Sequence, residues 1–363
     1  MKKFSTGYGQ FAGLLLAGAS LLGACEPKKE DPKPPVTPPV VVPPVTPPPV
    51  AVNVIDSVYV VNEGTSNGAV SLFNKLTGNV QRDVYAPANG GQRLGPFVQS
   101  LTVAGRRAYL VVNGSDAVQV VSYPGFVRQT TIAGRSQPRY LLAASATKAY
   151  LTEWQGGSPN YQAGRVAVIN LTTNVVTSTI PVGINPEEML LADGRLYVTS
   201  AEGSALTVIN TATDAVESTI AVPPGSKNIA RDANGNIWLL CSKYLETTDF
   251  LVKFAPATPT QQTRIAFPND YRNGNLRLNA AGTRIYVSLG TGTYALDPAA
   301  TALPAAPLVR RNFYGLGIDP QDGSIYGGTV NFSGDARTIR YTPAGAVIDS
   351  FNVAIGPNSF RFQ

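Results

Sequence analysis

The sequence contains no histidine, and this absence limits the chemistry that the chain can perform. A Ser-His-Asp or Cys-His nucleophile, a histidine-ligated zinc ion and a histidine general base all need an imidazole ring. The aspartates also lack the Asp-x-Asp-x-Asp-Gly spacing of a calcium loop. We therefore expect a binding protein rather than an enzyme, and the sequence indicates no cofactor and no metal.

Glutamates leave one catalytic alternative open, a carboxylate-based glycosidase or lyase. Glu187 and Glu188 are adjacent, so in a strand their side chains would point to opposite faces and could not act as a pair. Glu153, Glu187 and Glu202 would converge if their segments were neighbours, and two carboxylates about 5 to 10 Å apart permit glycoside hydrolysis. A purely structural role in the cell envelope is the third alternative.

The net charge of +6 is spread too thinly to indicate nucleic-acid binding. Five of the 29 basic residues precede residue 51, and beyond it the only adjacent basic pairs are Arg106-Arg107 and Arg310-Arg311. A nucleic-acid-binding domain normally carries a basic stripe or a recognisable motif. We expect no nucleic-acid partner.

Residues 1–24 have the order of a bacterial lipoprotein signal peptide. Lys2 and Lys3 precede an apolar stretch from Phe11 to Leu22, which is too short to span a bilayer comfortably, and Gly23-Ala24-Cys25 follows. Leu-Gly-Ala-Cys resembles the lipobox, a motif in which the thiol of the final cysteine is acylated. The resemblance implies that Cys25 is the first mature residue and that its acyl chains anchor the protein to a lipid membrane. An ordinary secretory signal is the alternative.

Residues 25–50 are predicted to form a stalk. Eleven prolines lie between Pro27 and Pro49, and such a segment stays extended because it cannot bury enough apolar surface to fold. It would reach about 70 Å at roughly 3 Å per residue. The charged run from Glu26 to Asp31 resembles the export tag of Bacteroidetes lipoproteins, which implies an outer-membrane lipoprotein exposed at the cell surface.

An internal repeat occupies residues 51–363. An apolar residue or alanine followed by an aromatic residue recurs every 40 to 50 residues, and short β-branched segments with Gly, Asn, Asp or Pro at their ends surround it. This rhythm predicts four antiparallel strands per repeat. Seven repeats predict an all-β fold, a seven-bladed β-propeller. The repeated aromatic residues are Tyr59, Tyr109, Tyr150, Tyr197, Trp238, Tyr286 and Tyr326.

Two of the repeats resemble a known family. Leu196-Tyr197-Val198-Thr199 is followed by the segments 206–214 and 218–222, and this pattern is similar to the YVTN-type propeller repeat of bacterial envelope and surface-layer proteins. The opening segment 58–64 also resembles a group of Bacteroidetes propeller lipoproteins, some of which capture corrinoids beside outer-membrane transporters. The resemblance implies a corrinoid-like small molecule or an outer-membrane transporter as partner. The tether, the polar residues of the predicted channel and the missing histidine leave a glycan as a further possible ligand.

The last strand of the sequence is predicted to close the ring. The first repeat begins without an innermost strand, whereas Pro357 to Phe362 has the form of one. Pairing of this segment with the first blade would remove the exposed sheet edges that invite aggregation.

Aligned inner strands place polar residues around a central channel, on the face where propellers usually bind ligands. Longer loops after the aromatic strand carry aromatic residues on the same face, and these would stack on a sugar or a flat macrocycle unless they pack against neighbouring loops. A solvated channel without a ligand is the alternative. The predicted ligand-binding residues are Gln99, Arg139, Tyr140, Glu187, Glu188, Lys227, Asn228, Asn275 and Tyr314 on the inner strands and Trp154, Tyr161 and Tyr244 on the loops.

Overall fold

The aromatic residue of every repeat is buried in the folded chain, on a strand with neighbours on both sides. The computed structural model describes residues 56–157, 160–268, 274–331 and 334–363. All of them fall in the unit Val52–Gln363. The seven repeated aromatic residues are at most 2% exposed. The predicted signal peptide, Cys25 and the predicted stalk lie outside the described residues.

The described part of the chain is almost entirely β-structure. One α-helix, α1 (Tyr85–Ala88), follows β3, and one turn of 3-10 helix (Asn113–Ser115) follows β5. The strands are β1 (Ser57–Asn62), β2 (Ala69–Asn74), β3 (Val80–Gln81), β4 (Val98–Ala104), β5 (Arg107–Val112), β6 (Ala117–Ser122), β7 (Arg128–Ile132), β8 (Pro138–Ala143), β9 (Lys148–Glu153), β10 (Ala163–Asn170), β11 (Val175–Ile184), β12 (Pro186–Ala192), β13 (Arg195–Ser200), β14 (Ala205–Asn210), β15 (Ala215–Ala221), β16 (Ser226–Arg231), β17 (Ile237–Cys241), β18 (Thr248–Phe254), β19 (Thr263–Pro268), β20 (Asn275–Leu278), β21 (Ile285–Leu289), β22 (Gly292–Leu296), β23 (Gly315–Ile318), β24 (Ile325–Gly328), β25 (Ala336–Tyr341), β26 (Val347–Val353) and β27 (Pro357–Phe362).

These strands form seven antiparallel sheets, which are the blades of a propeller. Blade 1 has the order β27-β1-β2-β3, and blades 2 to 5 contain β4–β7, β8–β11, β12–β15 and β16–β19. Blade 6 contains β20–β22 and blade 7 contains β23–β26. The predicted seven-bladed propeller is thereby confirmed.

Blade 6 departs from the predicted four strands, because the described residues give it three. The segment after β22 contains Pro298, Pro304 and Pro307, and a proline has no N–H group to donate to a sheet. Only a single bridge between Thr293 and Val309 stands in the place of the fourth strand.

The hydrophobic core lies between the blades rather than at the centre of the ring. In β1, Tyr59 and Val61 pack towards blade 2, whereas Val58 and Val60 pack towards blade 7. Successive side chains of a strand point to opposite faces, so one apolar strand contributes to two separate apolar layers. Seven such layers, one for each pair of neighbouring blades, make up the core.

The C-terminal strand closes the ring as predicted. β27 pairs antiparallel with β1, and Phe360 lies opposite Val60. Two backbone hydrogen bonds extend the pairing beyond the strands, from Glu63 N to Gly356 O (2.8 Å) and from Gln363 N to Ser57 O (3.1 Å). The first and last strands of the propeller thus belong to one sheet.

Glycines allow blade 7 to approach this closing strand. A Cβ atom on Gly315 would lie 2.6 Å from the backbone carbon of Asn358, and one on Gly317 would lie 2.8 Å from the Cβ of Phe360. No real side chain tolerates such distances, so β23 needs glycine at both positions where it passes β27.

Removal of the Phe360 ring should weaken the closure. The ring packs against Tyr326 of blade 7, with 5.8 Å between ring centroids, and it is only partly buried. We expect Phe360→Ala to lower the free energy of unfolding by about 2 kcal/mol, below the values for fully buried rings. Thermal and denaturant unfolding followed by circular dichroism measure this loss.

The matched control is Leu76→Ala, which truncates a side chain that is 70% exposed. It should change the free energy of unfolding by less than about 0.5 kcal/mol. Equal stabilities for the two variants would show that the β27 packing does not hold the ring closed.

Candidate functional site

Residues from all seven blades surround a cavity of about 270 Å³ at one mouth of the channel. Nine of the twelve predicted binding residues line it, while Glu188, Tyr161 and Tyr244 do not. The lining residues are Glu63, Gln99, Arg139, Tyr140, Trp154, Asn185, Glu187, Ala201, Glu202, Lys227, Asn228, Gly274, Asn275, Arg277, Tyr314, Asn358 and Ser359.

Irregularities in the inner strands bring these side chains to the channel. In blades 1 to 5 the register between the inner strand and its neighbour shifts at the end that meets the cavity. An extra residue in one strand bends it and re-aims its side chains. The residues that occupy the shifts are Asn358, Gln99, Arg139, Tyr140, Glu187, Glu188 and Lys227.

The bulges allow adjacent residues to share the cavity. Arg139 and Tyr140 both line it. Regular alternation requires an unbroken ladder, which the bulge interrupts. Of the adjacent Glu187 and Glu188, only Glu187 lines the cavity, so the two carboxylates do not act there as a pair.

Arg139 is the centre of the first polar network. Its Nε and Nη2 atoms donate to the Glu187 carboxylate at 3.1 and 3.2 Å, and Nη1 donates to Gln99 Oε1 at 2.7 Å. Gln99 Nε2 in turn donates to the Tyr140 hydroxyl at 3.0 Å. These bonds link the inner strands of blades 2, 3 and 4.

Burial and charge act against each other in the Arg139–Glu187 pair. Burial disfavours the charged guanidinium, but the Glu187 carboxylate together with Tyr140 and Glu63 outweighs this effect, so the pKa of Arg139 is raised. Burial raises the pKa of Glu187 above its ordinary value, although the charge of Arg139 opposes this rise. Ionisation of the Glu187 carboxyl group is therefore favoured by the charge of Arg139 and disfavoured by burial.

Glu188 forms the second network, behind the cavity wall. It accepts a hydrogen bond from Asn228 Nδ2 at 2.9 Å and forms an ion pair with Arg277 at 3.1 Å. Its two partners line the cavity, so Glu188 supports the site through them. Arg277 was missed in the sequence, although it lies two residues after Asn275 on β20 and two-residue spacing places both on one face.

Two glutamates complete the acidic part of the wall. The Tyr314 hydroxyl donates a short hydrogen bond to Glu63 across the junction of blades 7 and 1. Burial and the Glu63 carboxylate both raise the pKa of Tyr314. Sequence analysis missed Glu63 as a site residue because it follows β1, outside the aligned inner strands. Glu202 follows β13 in the same way, and its backbone oxygen accepts from Lys243 Nζ at 3.1 Å.

Lys227 is a partly buried basic residue in the same wall. Burial lowers its pKa, while the carboxylates of Glu187 and Glu202 oppose this shift. The cavity therefore contains three acidic side chains (Glu63, Glu187, Glu202) and three basic ones (Arg139, Lys227, Arg277).

The predicted aromatic platform is only partly present at the cavity. Trp154 is partly buried rather than exposed: its Nε1 atom donates to Pro186 O at 3.1 Å, and the guanidinium carbon of Arg139 lies 4.3 Å from the ring centroid. Tyr161 and Tyr244 are 41% and 62% exposed and lie outside the lining. Trp154 is thus packed into the cavity wall, which agrees with the alternative that the loop aromatics pack against neighbouring segments.

The carboxylate trio of the catalytic alternative does not assemble here. Glu153 is fully buried and pairs with Arg165 and with Arg135, the latter at 3.4 Å, and it does not line the cavity. Glu187 and Glu202 do line it. Among the described residues, no three His, Cys, Asp or Glu side chains are grouped as a metal site would need. No helix in this part of the chain has the length and apolar character to cross a membrane.

Comparison with known proteins places the propeller in a family. Residues 56–339 match the model of a family described as a domain of unknown function, DUF5074. The chain belongs to the DUF5074 family. No protein of curated function matches it significantly.

Solved structures resemble this DUF5074 propeller in fold. A quinonprotein alcohol dehydrogenase-like protein from Bacteroides thetaiotaomicron has a TM-score of 0.63 at 13% identity, with 85% of this chain and 78% of that one covered. Hydrazine synthase from Kuenenia stuttgartiensis has a TM-score of 0.59 at 14% identity, with 71% of this chain and 87% of that one covered. A functionally unknown protein from Desulfotomaculum acetoxidans has a TM-score of 0.58 at 11% identity, with 84% of this chain and 97% of that one covered. Identities this low show the fold alone, and propellers carry many unrelated activities, so the function must be argued from the site.

Loss of Arg139 should leave the buried Glu187 carboxylate without the guanidinium that donates hydrogen bonds to it, and only Lys227 would then oppose its charge. We expect Arg139→Gln to lower the free energy of unfolding at pH 8 by about 3 to 5 kcal/mol. The pKa of Glu187, already raised, would rise further, so the folded state would bind a proton that the unfolded state releases. Stability of this variant should therefore increase as the pH falls towards 5.5. Denaturant unfolding at both pH values measures the difference.

The control is the double variant Arg139→Gln/Glu187→Gln, which carries neither charge. Its loss of stability relative to the wild type should show little of this pH dependence. If the single variant lost the same amount at pH 5.5 and pH 8, ionised Glu187 would not be the source of the loss.

Proposed function

We propose that this DUF5074 propeller is a non-enzymatic binding protein that captures a small polar ligand in the cavity at the channel mouth. The observation that carries the proposal is the set of charged groups, all of them at least partly buried, that five of the seven blades direct to one point. Burying a charge costs free energy, and an ion pair in a protein interior is often no more stabilising than apolar residues of the same volume. A channel with a structural role alone would gain little from them.

The site is also organised before any ligand arrives. Arg139 is held by Glu187 and Gln99, and the Trp154 ring is fixed by its bond to Pro186. Side chains that are already ordered lose little conformational entropy on binding, and this favours affinity. The rigid wall therefore supports recognition of one shape.

The size of the cavity limits what it can enclose. Pockets that bury drug-sized ligands measure roughly 300 to 1,000 Å³, and this one is about 270 Å³. A single small ligand would fit inside. A corrinoid-like macrocycle or an oligosaccharide would insert one group and lie across the mouth with the remainder outside.

The contacts of the glutamates favour binding over glycoside hydrolysis. A hydrolase needs one carboxyl group as acid and a second as base or nucleophile. Glu187 is held by Arg139, Glu63 accepts from Tyr314, and Glu153 lies outside the cavity. This bonding suits a fixed recognition surface.

The sequence signals complete the proposal. Acylated Cys25 would hold the protein on the outer membrane, and the proline-rich segment 25–50 would present the propeller at the cell surface. A protein placed in this way would hand its ligand to an outer-membrane transporter, which is the partner we propose.

Ligand capture predicts stabilisation of the purified propeller. A ligand that binds only the folded state raises the melting temperature, by an amount equivalent to about 2.7 kcal/mol at a hundred times its Kd. We expect one class in a panel of corrinoids, porphyrins, mono- and oligosaccharides to do so. Trp154→Ala should reduce that shift, and Tyr161→Ala, which changes an aromatic residue outside the cavity, should not. Turnover of a glycan without any stabilising ligand would contradict the proposal.

Anchoring through Cys25 is tested in a Gram-negative host that processes lipoproteins. The wild type should incorporate labelled palmitate and remain with the membrane fraction. Cys25→Ser should lose the label and move to the soluble fraction, because the thiol that receives the acyl chains is missing. Cys241→Ser, which alters the buried free cysteine, is the control and should keep both properties. Membrane retention of unlabelled Cys25→Ser would disprove the lipid anchor.

A further inference from the structure

We infer that the ligand of this cavity is an uncharged, polyhydroxylated molecule, a sugar unit of about hexose size. The inference rests on the proposed binding function and names the chemistry of the same site. It follows from which hydrogen-bonding groups of the wall are already used and which are not.

The side-chain amide donors of four wall residues are occupied by bonds within the protein; these residues are Gln99, Asn228, Asn275 and Asn358. Asn275 Nδ2 donates to Phe313 O at 3.1 Å and to Tyr314 O at 3.0 Å. Asn358 Nδ2 donates in the same way to the backbone oxygens of Val98 and Gln99, at 3.0 and 3.2 Å. These side chains tie neighbouring blades together, so their N–H groups are not available to a ligand.

Acceptors, in contrast, remain unused. Asn185 and Asn228 line the cavity and are 2% and 6% exposed, yet the Oδ1 atom of each is buried without a hydrogen-bond partner among the described residues. A buried polar atom without a partner costs about 1 to 3 kcal/mol. A ligand that donates O–H or N–H groups to both atoms would remove this cost.

The charges of the wall distinguish between the two kinds of donor ligand. Its three acidic and three basic side chains balance, so an added ammonium or carboxylate group would enter a low-dielectric space without a counter-charge. Hydroxyl groups donate hydrogen bonds and bring no net charge. The Trp154 ring in the same wall offers an apolar surface for the C–H face of a sugar ring.

Three sugars with one ring and different charges provide the central test. The protein is first screened against an array of neutral, cationic and anionic mono- and oligosaccharides that includes galactose, galactosamine and galacturonate. Calorimetry then measures the affinities of the sugars that bind best. We expect a neutral sugar to bind best, and its charged counterparts to bind at least tenfold more weakly because their charge is not compensated.

Asn185→Gly tests the unused acceptor directly. Asn185 has φ of 49°, in the left-handed region that glycine adopts without strain, so the backbone can be kept while the carboxamide is removed. Affinity for the neutral sugar should fall about three- to tenfold, the equivalent of one neutral hydrogen bond. Asn174→Gly is the matched control, since Asn174 has φ of 56° and lies outside the cavity, and it should leave the sugar affinity unchanged.

The outcomes separate this inference from the proposed function. If cyanocobalamin or a charged sugar binds in a Trp154-dependent manner and neutral sugars do not, the cavity is a binding site and the inference is wrong. Equal affinities of Asn185→Gly and the wild type for a neutral sugar would also overturn it. If no compound binds, the proposed function fails as well.

Discussion

The structure depends on strands that are apolar on both faces. A blade such as blade 1, with Tyr59 and Val61 on one side and Val58 and Val60 on the other, must be covered twice. A row of blades would leave an apolar face bare at each end, whereas a closed ring gives every blade two neighbours. The pairing of β27 with β1 supplies the closure, and the sheet edges that remain belong to the outer and innermost strands of the blades.

The same arrangement explains how a strongly polar centre is tolerated. The apolar layers between blades provide the stability, so the inner strands can depart from regular pairing at the channel mouth. Their bulges turn residues such as Arg139 and Lys227 towards the cavity. Buried charges then find partners across blade boundaries, as Arg139 does with Glu187, and no single blade could satisfy them.

Some side chains at the channel mouth have one polar atom bonded within the protein and another without a bond. The amide hydrogens of Asn228 and Asn275 bind fixed groups of neighbouring inner strands or of the chain that leads into them. The Asn228 oxygen is left without a partner. In the function that we propose, the groups that hold the ring together also position the acceptors for a ligand, and its binding needs little reorganisation. This dual use links closure of the propeller to the chemistry of its channel.

The sequence alone determined the number of blades, the buried aromatic of each repeat and the closing strand, because these follow from local alternation and spacing. The aligned inner strands and the loops beside them also predicted nine of the residues that line the cavity. Tertiary structure decided the rest. The bond between Tyr314 and Glu63 joins residues 251 positions apart, and the burial of Trp154 depends on Arg139 and Pro186. The sequence also did not predict that blade 6 has only three strands among the described residues, or where the bulges lie. Both features depend on how neighbouring strands pair, and a local sequence pattern does not determine this pairing.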